Sequence, residues 1–99
     1  MRKHELRWVI EQFAKAIRLM NNPEGMSELN PVFFGQVSAF GNTLINLSHS
    51  YITVRTYRDG NDMIRTKEIQ INGESIFLKD YPLDSWLADK IAEIVGRNK

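Results

Sequence analysis

His4 and His49 are the only two histidines of this 99-residue chain, and it contains no cysteine. The missing thiols exclude a disulfide scaffold, thiolate metal sites and cysteine nucleophiles. A hydrolase would have to join His49, which lies between Ser48 and Ser50, to a carboxylate such as Asp80 or Asp84. Adjacency along the chain does not place a serine oxygen on an imidazole, because triads are assembled in space. There is also no Gly-x-Ser-x-Gly elbow to present a nucleophile. His49 therefore reads as a turn or capping residue. No His-x-x-x-His or His-Glu-x-x-His pattern offers metal ligands, and two distant histidines do not fill a zinc site. Asp59-Gly60-Asn61-Asp62 has the opening residues of a calcium loop without its later ligand spacing or its closing glutamate, and reads as a turn. Phosphate loops, dinucleotide glycine patterns and internal repeats are all missing. The acids of 80–93 are spread around one helix and form no general acid–base pair. The sequence thus predicts no catalytic residue, no cofactor and no metal ligand, and the chain reads as a non-enzyme.

The residue types that remain are those of recognition. Tyr51, Arg55, Tyr57, Ile64 and Phe77 fall on one face of the expected sheet, and Trp8 and Leu19 lie off the apolar stripe of the first helix. Aromatic side chains of this kind anchor protein interfaces. The leading expectation is a small interaction module, a regulator or inhibitor that binds another protein or a second copy of itself. The alternative is a single-stranded nucleic-acid binder that stacks bases on Tyr51, Arg55 and Tyr57, with Arg58 and Arg65 reaching phosphate. Glu68 on the same face, Asp59 and Asp62 at its tip and a net charge of +1 argue against that alternative.

These side chains need elements to position them. Leu6, Val9, Ile10, Phe13, Ala16, Ile17 and Met20 repeat at helical spacing, with Arg2, Lys3, Arg7, Glu11, Lys15 and Arg18 mainly off the stripe. Asn21-Asn22-Pro23-Glu24-Gly25 ends this helix. Asn30-Pro31, a capping side chain followed by proline, opens a second helix over 30–48, on which Phe33, Val37, Phe40, Leu44 and Leu47 repeat. Gly35 and Gly41 weaken it, so a break near Gly41, or a strand at 32–40, is the competing reading. Gly35, Ser38 and Ala39 would suit close helix packing, either within the molecule or against a partner helix. A third helix at 83–95 places Leu83, Trp86, Leu87, Ile91, Ile94 and Val95 on its buried stripe, and Gly96 stops it ahead of the basic Arg97-Asn98-Lys99 tail.

Between the second and third helices, 50–58, 63–71 and 74–79 have the β-branched and aromatic content of strands. Asn72-Gly73 is a strong two-residue hairpin signal and pairs Ile71 with Glu74, Ile69 with Ile76 and Lys67 with Leu78. A four-residue loop at 59–62 would pair Arg58 with Met63, Tyr57 with Ile64, Val54 with Lys67 and Ile52 with Ile69. That register puts Ile52, Val54, Met63, Ile69, Ile71, Ile76 and Leu78 on the core face, interrupted by Arg65 and Lys67. Ile64, Thr66, Glu68, Gln70 and Ser75 then join Tyr51, Thr53, Arg55, Tyr57 and Phe77 on the other face. The expected fold is α+β, a single domain over 1–99: two helices, a three-stranded antiparallel meander and a C-terminal helix, with the helices on one face of the sheet.

Composition agrees. With 42% hydrophobic and 25% charged residues the chain can fold around one core. The basic start Met1-Arg2-Lys3-His4 is not followed by a signal-peptide apolar run. Purely apolar runs such as Trp8-Val9-Ile10 and Val32-Phe33-Phe34 fall far short of the ~20 residues that span a bilayer. The expectation is a cytoplasmic protein with no membrane contact.

Overall fold

The computed structural model describes residues 3–79 and 81–97. Met1, Arg2, Asp80, Asn98 and Lys99, which enter the readings above, lie outside the described residues. The element order is α1 (Lys3–Met20), α2 (Asn30–Ser48), β1 (Ile52–Arg58), β2 (Ile64–Ile71), β3 (Glu74–Phe77) and α3 (Asp84–Arg97). The strands form one antiparallel sheet in the order β1-β2-β3. The fold is the expected α+β arrangement, with all three helices packed against the central strand from one side. No helix among the described residues is long and apolar enough to cross a membrane.

The apolar spacing of α1 explains its place at the centre of the helical layer. Ile10, Phe13, Ile17 and Met20 are fully buried, and α1 packs on both other helices. Val37 and Leu44 of α2, Ile69 and Ile71 of β2, and Leu87 and Ile91 of α3 close around it. Each such side chain contributes about 1.5–3 kcal/mol by leaving water. α2 is one continuous helix, so neither the strand reading of 32–40 nor a break at Gly41 holds. Gly41 is where α2 approaches α1: a Cβ there would stand 3.2 Å from Phe13 Cε1. Close packing against α1 outweighs the helix propensity that Gly41 gives up. At Gly35 a Cβ would point into open space, with nothing beyond its own helix backbone within 4 Å.

The β2–β3 register is the expected one. Asn72 (φ 52°) and Gly73 (φ 87°) turn the chain through the left-handed region, as a two-residue hairpin requires. The β1–β2 register differs from the expectation. Ile52 pairs with Ile71 and Val54 with Ile69, and a bulge then leaves Lys67 as the extra residue, so that Thr56 pairs with Thr66 and Arg58 with Ile64. The bulge reverses which residues face the helices over the first half of β2. Ile64 and Thr66 turn toward the core, with Ile64 packed against it and Thr66 Oγ1 on Met20 Sδ, while Lys67 is exposed. An unbroken alternation puts these residues on the wrong faces.

β3 reaches only as far as Glu68 on β2, so the outer edge of 64–66 has no strand beside it. Two asparagine amides take that place. Asn21 accepts from Thr66 N–H (2.8 Å) and donates to Thr66 C=O (2.9 Å). Asn30 accepts from Ile64 N–H (2.8 Å) and donates to Ile64 C=O (2.9 Å) and Met20 C=O (3.2 Å). Asn30 therefore does not cap α2, whose N-cap position is Leu29 without a side-chain cap. Arg65 completes the junction. Its guanidinium donates to Asp59 (2.9 Å) and to the carbonyls of Met20 (2.8 Å) and Asn22 (2.9 Å), at the negative end of α1.

Candidate functional site

The face of the sheet turned away from the helices is built by alternation. Thr53, Arg55 and Tyr57 on β1, Glu68 and Gln70 on β2, and Ser75 and Phe77 on β3 point to one side, with Tyr51 just ahead of β1. The aromatic members stand well out of the surface: Tyr51 is 76% exposed, Phe77 66% and Tyr57 48%. Cross-strand pairing sets Arg55, Glu68 and Phe77 in one row. Glu68 is only 3% exposed, and Arg55 lies 3.2 Å from its carboxylate. A hydrogen bond from Ser75 and then the Arg55 guanidinium hold the Glu68 carboxyl below its ordinary range, against the opposing effect of burial. The centre of the face is thus an internally neutralised pair among aromatic rings.

Of the residues singled out from sequence, Tyr51, Arg55, Tyr57 and Phe77 share this face. Ile64 does not, because the Lys67 bulge turns it toward the helices. Trp8 is exposed on α1, edge-on to Phe40 of α2 at 6.1 Å between ring centroids, and so belongs to the helical layer. Two residues assigned to the buried stripe of α3 belong instead to the surface. Leu83 precedes α3 and is 63% exposed, and Trp86 is 42% exposed. With Phe77, Lys79 and Pro82 they line an open apolar cleft of about 420 Å³ beside the sheet face. α3 also runs through Gly96 rather than stopping there. Helical spacing alone carries no signal for the exposed pair, since Leu83 and Trp86 continue the stripe of Leu87, Ile91, Ile94 and Val95 toward its N-terminal end.

The histidines remain apart from this face. His49 is exposed at the C-cap of α2 with φ 54°, a left-handed helix-ending conformation, and His4 is exposed on α1. Among the described residues no group of three or more histidines and carboxylates could hold a metal ion. The 59–62 segment is a turn organised by Asp59, whose carboxylate accepts from the N–H groups of Asn61 (2.8 Å) and Met63 (3.0 Å). Arg65 first, and these backbone donors with it, keep the Asp59 carboxyl below its usual range. No family model matches the chain, and neither a curated protein nor a solved structure shows significant similarity to it.

Proposed function

We propose that the chain is a non-enzymatic, cytoplasmic protein-binding module, a regulator or inhibitor that acts by covering a partner protein with the open sheet face. The reading rests on one observation: Tyr51, Tyr57 and Phe77 project from a face whose central charge, Arg55, is already paired with Glu68. Large aromatic side chains around a neutralised centre suit a protein surface, where anchors fill pockets and few charges must be stripped of water. The cleft of Phe77, Pro82, Leu83 and Trp86 extends the same apolar surface. A polyanion would need free guanidinium and ammonium groups, and Arg55 is committed to Glu68.

The test places a photo-crosslinking residue at Tyr57, or at Lys15 on α1 as a control, in native lysate. A partner captured from Tyr57 only, and lost when Phe77→Ala is added, supports the reading, provided far-ultraviolet dichroism is unchanged. Equal capture from both positions, or binding of a labelled single-stranded oligonucleotide that falls steeply with salt, would replace it with the nucleic-acid alternative or remove it.

A further inference from the structure

The free edge of β1 and the groove beneath it stand apart from the open face. Antiparallel pairing directs the backbone groups of alternate residues to opposite sides of a strand. Tyr51 C=O accepts from Asn72 N–H (2.9 Å) and Asp59 N–H donates to Met63 C=O (3.0 Å), so odd-numbered residues of this segment face β2. The N–H and C=O groups of Ile52, Val54, Thr56 and Arg58 therefore point outward from the sheet edge. Below them a groove of about 330 Å³ runs between β1 and α2, lined by Phe34, Val37, Ser38, Asn42, Ile45 and Val54 among others. None of its lining residues is charged, and no Asp, Glu, Lys or Arg occurs anywhere from Leu29 to Val54.

We propose that this edge and groove are the surface through which two copies of the chain associate, joining their sheets strand to strand about a two-fold axis at Val54. The proposal does not rest on the function assigned to the open face. The charge pattern selects the occupant. A groove without charge favours a partner surface without charge, and the groove's own lining is such a surface, so two copies can meet there without burying a charge. The register follows from the same reasoning. Outward-facing residues must pair with outward-facing residues, which leaves three placements of the axis near the strand centre. An axis at Arg55 sets like charges directly opposite, and one at Thr56 sets Arg58 against Val54 over the apolar groove. The axis at Val54 pairs Val54 with its mate, Ile52 with Thr56 and, on the open face, Tyr51 with Tyr57 and Thr53 with Arg55. Arg58 then lies beyond the apolar pairs. Seven strand residues give a strip of about 23 Å. Specific interfaces begin near ~1,200 Å² in total, so the flank of α2 has to add its surface to this strip. Ser38 and Asn42, exposed on that flank, leave room for the symmetry-related helix.

Sedimentation over a wide concentration range, combined with amide hydrogen exchange on the intact chain, tests this. The expected result is a monomer–dimer equilibrium in which the Ile52, Val54 and Thr56 amides exchange at least about tenfold more slowly as the dimer fills. Thr56→Pro, and the pair Ser38→Lys with Asn42→Lys, should each abolish the dimer while leaving the dichroism spectrum intact. A strict monomer at every concentration overturns the proposal. So does a dimer in which those three amides exchange at the monomer rate, or one that both variants retain at full strength. Protection of the same amides in a monomer only on adding an extended foreign peptide assigns the edge to another occupant and equally overturns it. In this register Tyr57 lies opposite Tyr51 of the second copy, so capture of the chain itself at Tyr57 reports the dimer and capture of a different protein reports the open face. Loss of the latter leaves sedimentation and amide exchange unchanged, and the two proposals fail separately.

Discussion

The sheet has two flanks, and the chain treats them differently. Where β3 falls short of 64–66, Asn21 and Asn30 supply four hydrogen bonds in place of a missing strand. The groove along β3 and α3 is rimmed by Glu74, Lys90, Glu93 and Arg97, with Arg97 bonded to Glu74 at 2.8 Å. On the β1 flank no side-chain amide bonds the outward backbone groups among the described residues. The groove beneath has no charged lining residue, although Asn42 lines it and Arg55 and Arg58 belong to the strand. Exposed edges invite pairing with other chains, and proteins ordinarily blunt them with charge, proline or a covering element. This fold uses two of its own side chains to close one edge and charges to guard another. The β1 edge is thus left open where the opposite flank is sealed by side chains and rimmed by charge.

The largest test of that contrast removes the seal. Asn21→Ala strands the buried N–H and C=O of Thr66, and a loss of about 2–4 kcal/mol is expected from urea unfolding, a large share of the stability of a domain this size. Asn30→Ala exposes less deeply buried groups at Ile64 and should cost about 1–3 kcal/mol in the same measurement. A pH-linked loss comes next. Asp59 and Glu68 both have carboxyls held below their ordinary range in the folded chain. Their contribution is fully present above the ordinary carboxylate range and is lost as the pH falls through the lowered folded values. Unfolding midpoints should therefore fall on acidification through that range, and less steeply in Asp59→Asn than in the parent. The smallest effect belongs to the bare side. Thr56→Pro removes an N–H that bonds to nothing within one copy, so the dilute protein should lose less than about 1 kcal/mol. A loss matching that of Asn21→Ala would erase the distinction between the flanks.

Much of the architecture was legible in the residues. The apolar spacing in α1, α2 and α3, the Asn72-Gly73 turn and the β-branched runs placed the six elements, because each is a local pattern. The bulge at Lys67 was not legible. A single extra residue leaves no compositional mark, yet it moved Ile64 and Thr66 from one face to the other. The roles of Asn21 and Asn30 were hidden for a related reason. Both are common punctuation beside helices, and only the position of β2 in space shows where their amides go. On the open face, alternation located Tyr51, Arg55, Tyr57 and Phe77 together. Leu83 and Trp86 were missed because helical spacing marks a stripe without showing how far along the helix the core extends.

The asparagine seal also bears on time. Its bonds join residues 45 and 34 positions apart in the chain. Contacts at that separation carry a loop-closure cost and tend to form after local helices and the tight hairpin. Interactions made late are absent at the folding barrier, so weakening them leaves the rate of folding nearly unchanged and accelerates escape from the native state. On this ordering Asn21→Ala and Asn30→Ala are expected to shorten the lifetime of the folded molecule while leaving its rate of formation nearly unchanged.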